Sequence, residues 1–287
     1  MRIPFLLLTP ACVLLGAGTA VRTSEHVSIL YVILGFIGAL SAHISVNSLN
    51  EYFDFKSGLD FKTRRTPFSG GSGTLPENPK MARHALGTGL ITFGITALIG
   101  IFFLIIRGLL ILPLGLVGLL IVFFYTDWFT RHPLLCLIAP GLGFGPLMVM
   151  GADFVLTGGY SLTAFIASLV PFFLVSNLLL LNQFPDIEAD REVGRKHLPI
   201  IVGARVSSLI YGAFLLLAYA SIIFGVFFEI LPQFTLLGLL TIPIAVAAFH
   251  AAYRYGEDIK KLIPYMGLNV IIVILTPVLV ATGLFIG

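Results

Sequence analysis

Charged residues are scarce in this sequence. Of its 287 residues, 17 are Lys or Arg and 14 are Asp or Glu, which together make 11%. A soluble domain of ordinary composition carries roughly 25% charged residues. Hydrophobic residues make up 57%, and the mean hydropathy is +1.02. These values exclude a soluble globular enzyme, a disordered chain and a nucleic-acid-binding protein, and they indicate a protein with several membrane spans.

Cysteine is scarce as well. Cys12 and Cys136 are the two cysteines of the chain, and both lie in apolar runs. No group of His and Cys residues has the spacing of metal ligands. The sequence therefore predicts neither a disulfide scaffold nor a thiolate metal site.

Nine apolar stretches follow one another along the chain. A membrane-spanning helix needs roughly 20 apolar residues, and it tolerates Gly and Pro. The stretches cover approximately residues 3–20, 27–53, 85–106, 109–126, 133–155, 162–184, 207–228, 231–253 and 263–285. They predict an all-α membrane protein of nine transmembrane helices.

The first stretch also has features of a signal peptide, because Arg2 precedes its apolar core and small residues follow at 16–20. The stretch is long and contains Pro4 and Pro10. These features favour a first transmembrane helix over a cleaved signal.

Lys and Arg are distributed unevenly between the loops. With the N-terminus in the cytoplasm, 15 of the 17 lie on the inner side, Arg2 among them, and only Arg22 and Arg107 lie on the outer side. The positive-inside rule therefore predicts a cytoplasmic N-terminus, and nine spans place the C-terminus outside. Eleven of the 14 acidic residues also fall on the inner side, so one face of the molecule carries most of its polar groups.

Span 2 ends in a group of amides and a carboxylate. Asn47, Asn50 and Asp54 are spaced i, i+3, i+7. This spacing predicts that their side chains share one helix face at the inner membrane boundary.

Span 6 ends in a group of the same composition. Asn182, Asp186 and Asp190 are spaced i, i+4, i+8, which again predicts one helix face. Both groups end even-numbered spans and therefore lie on the same side of the membrane. Their separation by four spans suggests an internal duplication, with spans 1–4 and 5–8 as two units and span 9 added, within a single domain of residues 1–287.

The two groups contain only oxygen ligands, which suit a hard cation such as Mg²⁺. Four bases follow closely: Arg64, Arg65, Arg195 and Lys196. Facing each other, the two helix ends would bind a diphosphate chelated by the metal. The alternative is a pair of ordinary solvated helix ends, and the recurrence of one composition on one side favours the binding site.

Two polar residues lie deeper in the spans. His43 precedes Asn47 by four residues on the same face, and Asn177 lies within span 6. Either side chain could line a pocket or make a hydrogen bond between helices, which is the commoner use of such residues in membranes. His197 is the histidine of the loops that lies near the second acidic group.

Three segments resemble the UbiA superfamily of intramembrane prenyltransferases, and the resemblance covers the whole chain. Residues 50–54 (NEYFD), with Asp60 beyond them, resemble its first aspartate-rich motif, and residues 186–196 (DIEADREVGRK) resemble the second. Residues 66–73 (TPFSGGSG) are similar to the glycine-rich loop of the naphthoate-prenylating branch. The sequence departs from the family at Glu51, where an aspartate is usual.

The resemblance implies a helix bundle around a central cavity, with an active-site cap on the cytoplasmic side. Asp54, Asp186 and Asp190 would be catalytic, and together with Asn50 they would hold Mg²⁺. The diphosphate would be bound by residues that include a Tyr and a base from the loop between spans 4 and 5: Tyr125, Arg131, Lys62, Arg64, Arg65, Arg195 and Lys196. Less specific candidates for the site are Asn47, Glu51, Asp60, Asn182 and His43.

The implied reaction transfers a polyprenyl group from its diphosphate to an acceptor through a carbocation-like intermediate. The partners would be an isoprenyl diphosphate such as geranylgeranyl diphosphate, a lipophilic or aromatic acceptor, and the lipid bilayer. The resemblance favours 1,4-dihydroxy-2-naphthoate, a quinone precursor, and the alternative acceptor is geranylgeranylglycerol phosphate. A secondary transporter is the alternative of another class. Its coupling carboxylates would lie near the bilayer midplane, whereas the acids of this chain collect at one boundary.

Overall fold

The computed structural model describes residues 3–287, so Arg2 of the charge distribution lies outside the described residues. The described chain is 84% helical. Its α-helices are α1 Leu8–Thr23, α2 Ile29–Ser57, α3 Thr74–Glu77, α4 Ala82–Arg107, α5 Leu112–Phe124, α6 Pro133–Leu142, α7 Gly151–Thr157, α8 Leu162–Asn182, α9 Ile187–Glu192, α10 Leu198–Phe227, α11 Ile242–Tyr255 and α12 Ile259–Ile286.

Eight helical segments within residues 3–287 are long and apolar enough to cross a membrane. They are Phe5–Thr23, Ile29–Ser57, Pro79–Arg107, Pro133–Thr157, Leu162–Glu192, Leu198–Phe227, Gln233–Tyr255 and Ile259–Ile286. The remaining apolar stretch forms the shorter helix Leu109–Phe124. Because α5 has 13 residues, it is about 20 Å long, less than the roughly 30 Å of the hydrocarbon core. A ninth full-length span is therefore not confirmed.

The loops gather at two ends of the bundle. At one end, Gly70 N–H donates to Asp186 and Lys196 N–H donates to the carbonyl of Thr130. We call this the polar end; it comprises residues 58–81, 125–132 and 183–197. At the other end, the Tyr160 hydroxyl donates to the carbonyl of Leu110. The loops that follow even-numbered apolar stretches thus meet at the polar end. Those that follow odd-numbered stretches meet at the other end, as an up-and-down bundle requires.

The second acidic group does not lie on one helix, contrary to the prediction from its spacing. Helix α8 ends at Asn182, Phe184–Asp186 forms a 3₁₀ turn, and α9 starts at Ile187. Pro185 lacks the N–H that would continue the α-helical hydrogen bonds. The chain therefore turns between Asn182 and Asp190 while the first group stays on the continuous helix α2.

Between α6 and α7 the helix changes register. Residues Gly143–Met150 have π-helical hydrogen bonding, with Pro140 just before and Pro146 within this segment. Proline removes one backbone donor and favours such local rearrangement. A Cβ on Gly141 would overlap the carbonyl oxygen of Phe172, so glycine lets this helix lie directly against α8.

Candidate active site

A cavity of about 700 Å³ opens between α2, α4, α5, α6 and α8 and reaches the polar end. Most of the residues predicted from the sequence to form the site line it: His43, Asn47, Asn50, Glu51, Asp54, Tyr125, Asn182, Asp186, Asp190 and Arg195. Both acidic groups and the glycine-rich loop therefore meet at one end of one cavity.

The first acidic group sits on α2, which ends at Gly58 in the left-handed conformation typical of a helix C-terminus. Asp54 is 8% exposed. The Asn50 amide N–H donates to Thr126 Oγ1 at 3.2 Å, and Asn50 also hydrogen bonds to Asp54. Asn50 thereby connects α2 to the loop after α5, a connection that sequence reasoning missed.

The second acidic group approaches from the opposite wall. Asp190 is 2% exposed, and Asp186 Oδ2 accepts a hydrogen bond from Gly70 N–H at 3.1 Å. The buried amide oxygen of Asn182 makes no hydrogen bond with the protein. An amide oxygen left in this state at the cavity wall is suited to receive a ligand.

Arg195 joins the two acidic groups. Its guanidinium donates to Asp54 Oδ1 through Nη2 and to Asp190 Oδ1 through Nη1, the latter at 3.1 Å. Burial opposes the charged form, but Asp54 and Asp190 together raise the pKa of Arg195 above its ordinary value. Arg195 is 141 positions from Asp54 in the chain, so this single buried cation links two distant segments.

His197 lies on the far side of Asp190, with Nδ1 3.4 Å from Asp190 Oδ2. Burial, with a further contribution from Arg195, lowers the pKa of His197 to about 3. The imidazole is therefore neutral at physiological pH, and Arg195 carries the positive charge that faces this carboxylate.

The glycine-rich loop folds over the cavity mouth. Ser72 donates to Glu51 through its N–H at 3.0 Å and through its hydroxyl at 2.7 Å. Gly70 and Gly71 have φ values of 77° and 67°, a conformation that favours glycine. Glu51, the position at which the sequence departs from the family pattern, therefore anchors the loop that covers the site.

The remaining predicted bases lie outside the cavity lining. Their side chains are largely exposed at the polar end: Lys62, Arg64, Arg65, Arg131 and Lys196. Two of them hold loops together, since Lys62 pairs with Glu192 at 2.9 Å and Arg65 with Glu77 at 2.5 Å. Asp60 is buried beneath Gly71, also off the cavity wall. Arg195 is the base that the structure brings to the carboxylates.

Tyr125 stands in the cavity wall beside Cys136. Burial, and secondly the neighbouring Cys136, raise the pKa of Tyr125 well above its ordinary value. Gln183 Nε2 lies 3.3 Å from Cys136 Sγ. These contacts join the end of α5, the start of α6 and the end of α8, and the spacing of the sequence carried no signal for them.

Away from the carboxylates the cavity is apolar and is lined by small residues of α2 and α5. Gly38 and Ala39 face it from α2, and Gly115 and Gly118 face it from α5. A Cβ on Gly115 or Gly118 would meet no atom within 4 Å. The cavity follows α2 from Asn50 to Gly35, which corresponds to about 22 Å at 1.5 Å per residue. We call this part the apolar arm.

The two polar candidates deeper in the spans, His43 and Asn177, each have a hydrogen-bond partner. His43 Nδ1 lies 2.8 Å from Thr9 Oγ1, at the wall of the apolar arm. Asn177 is fully buried and donates to the carbonyl of Tyr211, and it does not line the cavity. Asn177 therefore makes an interhelical hydrogen bond, which was the alternative reading of its position.

The oxygen donors at the polar end fit a hard divalent cation by their chemistry, and the unpartnered Asn182 oxygen adds to the set. Within residues 3–287, however, no three Asp, Glu, His or Cys side chains are already gathered as a metal cluster. Between the two groups, the Arg195 guanidinium contacts Asp54 and Asp190.

An apolar, helix-lined cavity with carboxylates at its polar end, among the eight helices of residues 3–287 that are long enough to cross a membrane, is typical of an integral membrane protein. The sequence matches the UbiA prenyltransferase family over residues 9–271. The chain belongs to this family.

Relatives in sequence and structure agree with this assignment. The chain is 28% identical over 213 residues to 1,4-dihydroxy-2-naphthoate octaprenyltransferase of Bacillus subtilis (strain 168), a match that covers 72% of this chain. The chain spans 66% of that relative's own length.

Two solved structures share the fold. The apo structure of a UbiA homologue from Aeropyrum pernix K1 has a TM-score of 0.77 at 17% identity and covers 100% of this chain and 98% of its own. A UbiA homologue from Archaeoglobus fulgidus, bound to DMAPP and Mg²⁺, has a TM-score of 0.58 at 14% identity and covers 98% of this chain and 99% of its own.

Proposed function

We propose that the protein is a Mg²⁺-dependent prenyltransferase that transfers a polyprenyl group from an isoprenyl diphosphate to an aromatic, quinone-precursor acceptor. The observation that carries this proposal is a single cavity with an end lined by carboxylates and Arg195 and an apolar arm of about 22 Å. An isoprenyl diphosphate has a charged end and an apolar chain. The diphosphate would lie at the end that contains Arg195, and the chain would lie in the apolar arm. Family membership and the naphthoate-prenylating relative support the same reaction class.

Asn50, Asp54, Asp186 and Asp190 are the residues that would hold Mg²⁺. When bound there, the ion would supply positive charge to the departing diphosphate, and the allylic C–O bond would break with its electron pair going to the leaving group. The guanidinium of Arg195 suits the diphosphate oxygens, since its planar fork binds phosphate as it binds carboxylate.

The protein's remaining task is to keep water from the allylic cation. The glycine-rich loop covers the cavity mouth through the contact of Ser72 with Glu51. Below it, Phe144 and Tyr125 present aromatic surfaces to the cavity, and the faces of such rings attract cations. The acceptor ring carbon then forms the new C–C bond to the allylic cation, and its proton passes to the departed diphosphate.

The polar end faces the cytoplasm in this proposal. The excess of Lys and Arg in the loops of that end supports this orientation. The N-terminus then lies inside and the C-terminus outside.

The test uses purified protein in lipid nanodiscs with geranylgeranyl diphosphate, Mg²⁺ and either of two acceptors. We expect a prenylated product with 1,4-dihydroxy-2-naphthoate and none when EDTA replaces Mg²⁺. A product with geranylgeranylglycerol phosphate alone would identify that compound, and not 1,4-dihydroxy-2-naphthoate, as the acceptor. Absence of product with both acceptors, together with ion-dependent uptake into proteoliposomes, would overturn the enzyme in favour of a transporter.

A further inference from the structure

Arg195 occupies the space between the two acidic groups that a cation would need. Its two Nη atoms contact Oδ1 of Asp54 and Oδ1 of Asp190. The side chains of Arg195, Asp54 and Asp190 are 15%, 12% and 3% exposed, respectively. The contact is therefore a buried, charge-assisted link between the two walls of the cavity.

The other bases of the polar end do not share this role. His197 contacts Asp190 through Nδ1 at 3.4 Å but is not ion-paired with Asp54, so it does not link the two groups. Lys62 is paired with Glu192, and the Lys196 side chain is exposed. Among the ion pairs of residues 3–287, Asp54 and Asp190 share Arg195 as their one permanently charged partner.

A divalent cation would require the same two carboxylates. A divalent cation on these carboxylates would stand close to the guanidinium, and repulsion between two cations is strong where water is excluded. The guanidinium and a divalent metal would therefore compete for Asp54 and Asp190. A buried guanidinium in turn needs another anion to accept its hydrogen bonds.

The cavity offers a place for that anion. Arg195 lines the same cavity wall as Asp54 and Asp190, and the glycine-rich loop lies across the mouth. A diphosphate that enters there presents oxygens to a guanidinium whose geometry fits phosphate and carboxylate equally.

We infer that Arg195 acts as an internal counter-ion that exchanges its two carboxylates for the diphosphate, so that the divalent metal binds these carboxylates only together with a diphosphate. The inference extends the proposed function by stating how its metal and its first substrate depend on each other. Metal and diphosphate affinities then rise together, because coupling between two ligands is reciprocal.

The test measures binding of Mn²⁺, which takes the same oxygen ligands as Mg²⁺, to the purified protein in nanodiscs by electron paramagnetic resonance. Inorganic pyrophosphate is absent in one series and present in the other, with binding of Mn²⁺ to free pyrophosphate subtracted. For the wild-type protein we expect the affinity to rise about 10- to 100-fold with pyrophosphate, the usual range of such coupling. Equal Mn²⁺ affinity in both series would overturn the inference without any variant.

The variant Arg195→Gln removes the charge between the carboxylates. We expect it to bind Mn²⁺ without pyrophosphate at least about tenfold more tightly than the wild type, and to lose most of the coupling. Arg191→Gln is the matched control, since Arg191 lies in the same motif but is exposed and paired with Glu188. It should behave as the wild type. Tighter metal binding in the control alone would contradict the role of Arg195.

The outcome separates this inference from the proposed reaction. Coupled Mn²⁺ and pyrophosphate binding without prenyl transfer to either acceptor would support the counter-ion exchange and reject both proposed acceptors. Prenyl transfer with uncoupled metal binding would support the enzyme and reject the exchange. If Arg195→Gln does not fold, Arg195→Lys is measured in its place. This variant keeps a positive charge and should retain the coupling.

Discussion

Phe in place of Gly118 or Gly115 should shorten the prenyl chain that the cavity accepts, each to a different length. Both glycines line the apolar arm on α5. They precede Tyr125, which lies level with the carboxylates, by seven and ten residues. At 1.5 Å per residue they lie about 10 Å and about 15 Å from that level. An isoprene unit adds four chain bonds of about 1.5 Å, hence at most about 5 Å of length.

A Phe at position 118 should therefore leave space for about two isoprene units, and at position 115 for about three. Neither Cβ meets an atom within 4 Å, so both variants should fold. Forcing a longer chain past the ring should cost about 1–3 kcal/mol, as overpacking of an interior does. This corresponds to a loss of about 5- to 150-fold in kcat/KM for the chain that no longer fits.

The assay compares geranyl, farnesyl and geranylgeranyl diphosphates with 1,4-dihydroxy-2-naphthoate as acceptor. Gly118→Phe should retain geranyl transfer and lose farnesyl and geranylgeranyl transfer, whereas Gly115→Phe should lose only geranylgeranyl transfer. Gly94→Phe is the control, because Gly94 has equal free space but does not line the cavity. Unchanged ratios among the three substrates in both α5 variants would refute the path along α5 and indicate that the tail leaves between the helices.

Three further predictions concern the polar end. Asp54→Ala and Asp190→Ala should each abolish turnover while the protein still elutes as a folded species, and wild-type activity in either variant would contradict their role. Ser72→Ala removes the contacts of the Ser72 hydroxyl with the side chains of Glu51 and Thr74. It should raise KM for the diphosphate about tenfold with kcat unchanged, given the strength of a hydrogen bond to a charged group. An unchanged KM would show that the loop closes without this hydroxyl. Burial, and secondly Asp54 and Glu51, raise the pKa of Asp60 from 3.8 to about 7. The folded chain therefore holds this proton more tightly than the unfolded chain does. Its free energy of unfolding should fall as the pH rises from about 4 to 7, by up to about 4 kcal/mol. Asp60→Asn should therefore raise the apparent Tm in metal-free buffer more at pH 8 than at pH 5, and an equal gain at both would reject the assignment.

Much of the site was readable from spacing along single helices. The positions of Asn50 and Asp54 on α2 follow from the helical period, and both line the cavity as expected. The same reasoning failed for Asp186 and Asp190, because Pro185 ends the helix between them and Asn182. They still reach the cavity, since the turn redirects the chain toward the same wall.

The bases could not be ranked in this way. Lys62, Arg64, Arg65, Arg195 and Lys196 all follow an acidic motif, yet only Arg195 enters the cavity. On a loop, the direction of a side chain depends on local turns and on which distant surface the loop packs against, and sequence spacing specifies neither. For the same reason Glu51 drew attention as a departure from the family pattern, while its hydrogen bonds with Ser72 were not foreseen.

The sequence by itself determined the environment of this protein and the helices that carry its first acidic group. Apolar segments of sufficient length must form helices in hydrocarbon, because only their own backbone can satisfy their hydrogen bonds. The tertiary structure alone decided that Arg195 lies between Asp54 and Asp190, and that α5 is a short helix whose glycines leave the apolar arm open. These features join residues from distant parts of the chain, and only packing of the whole bundle brings them together.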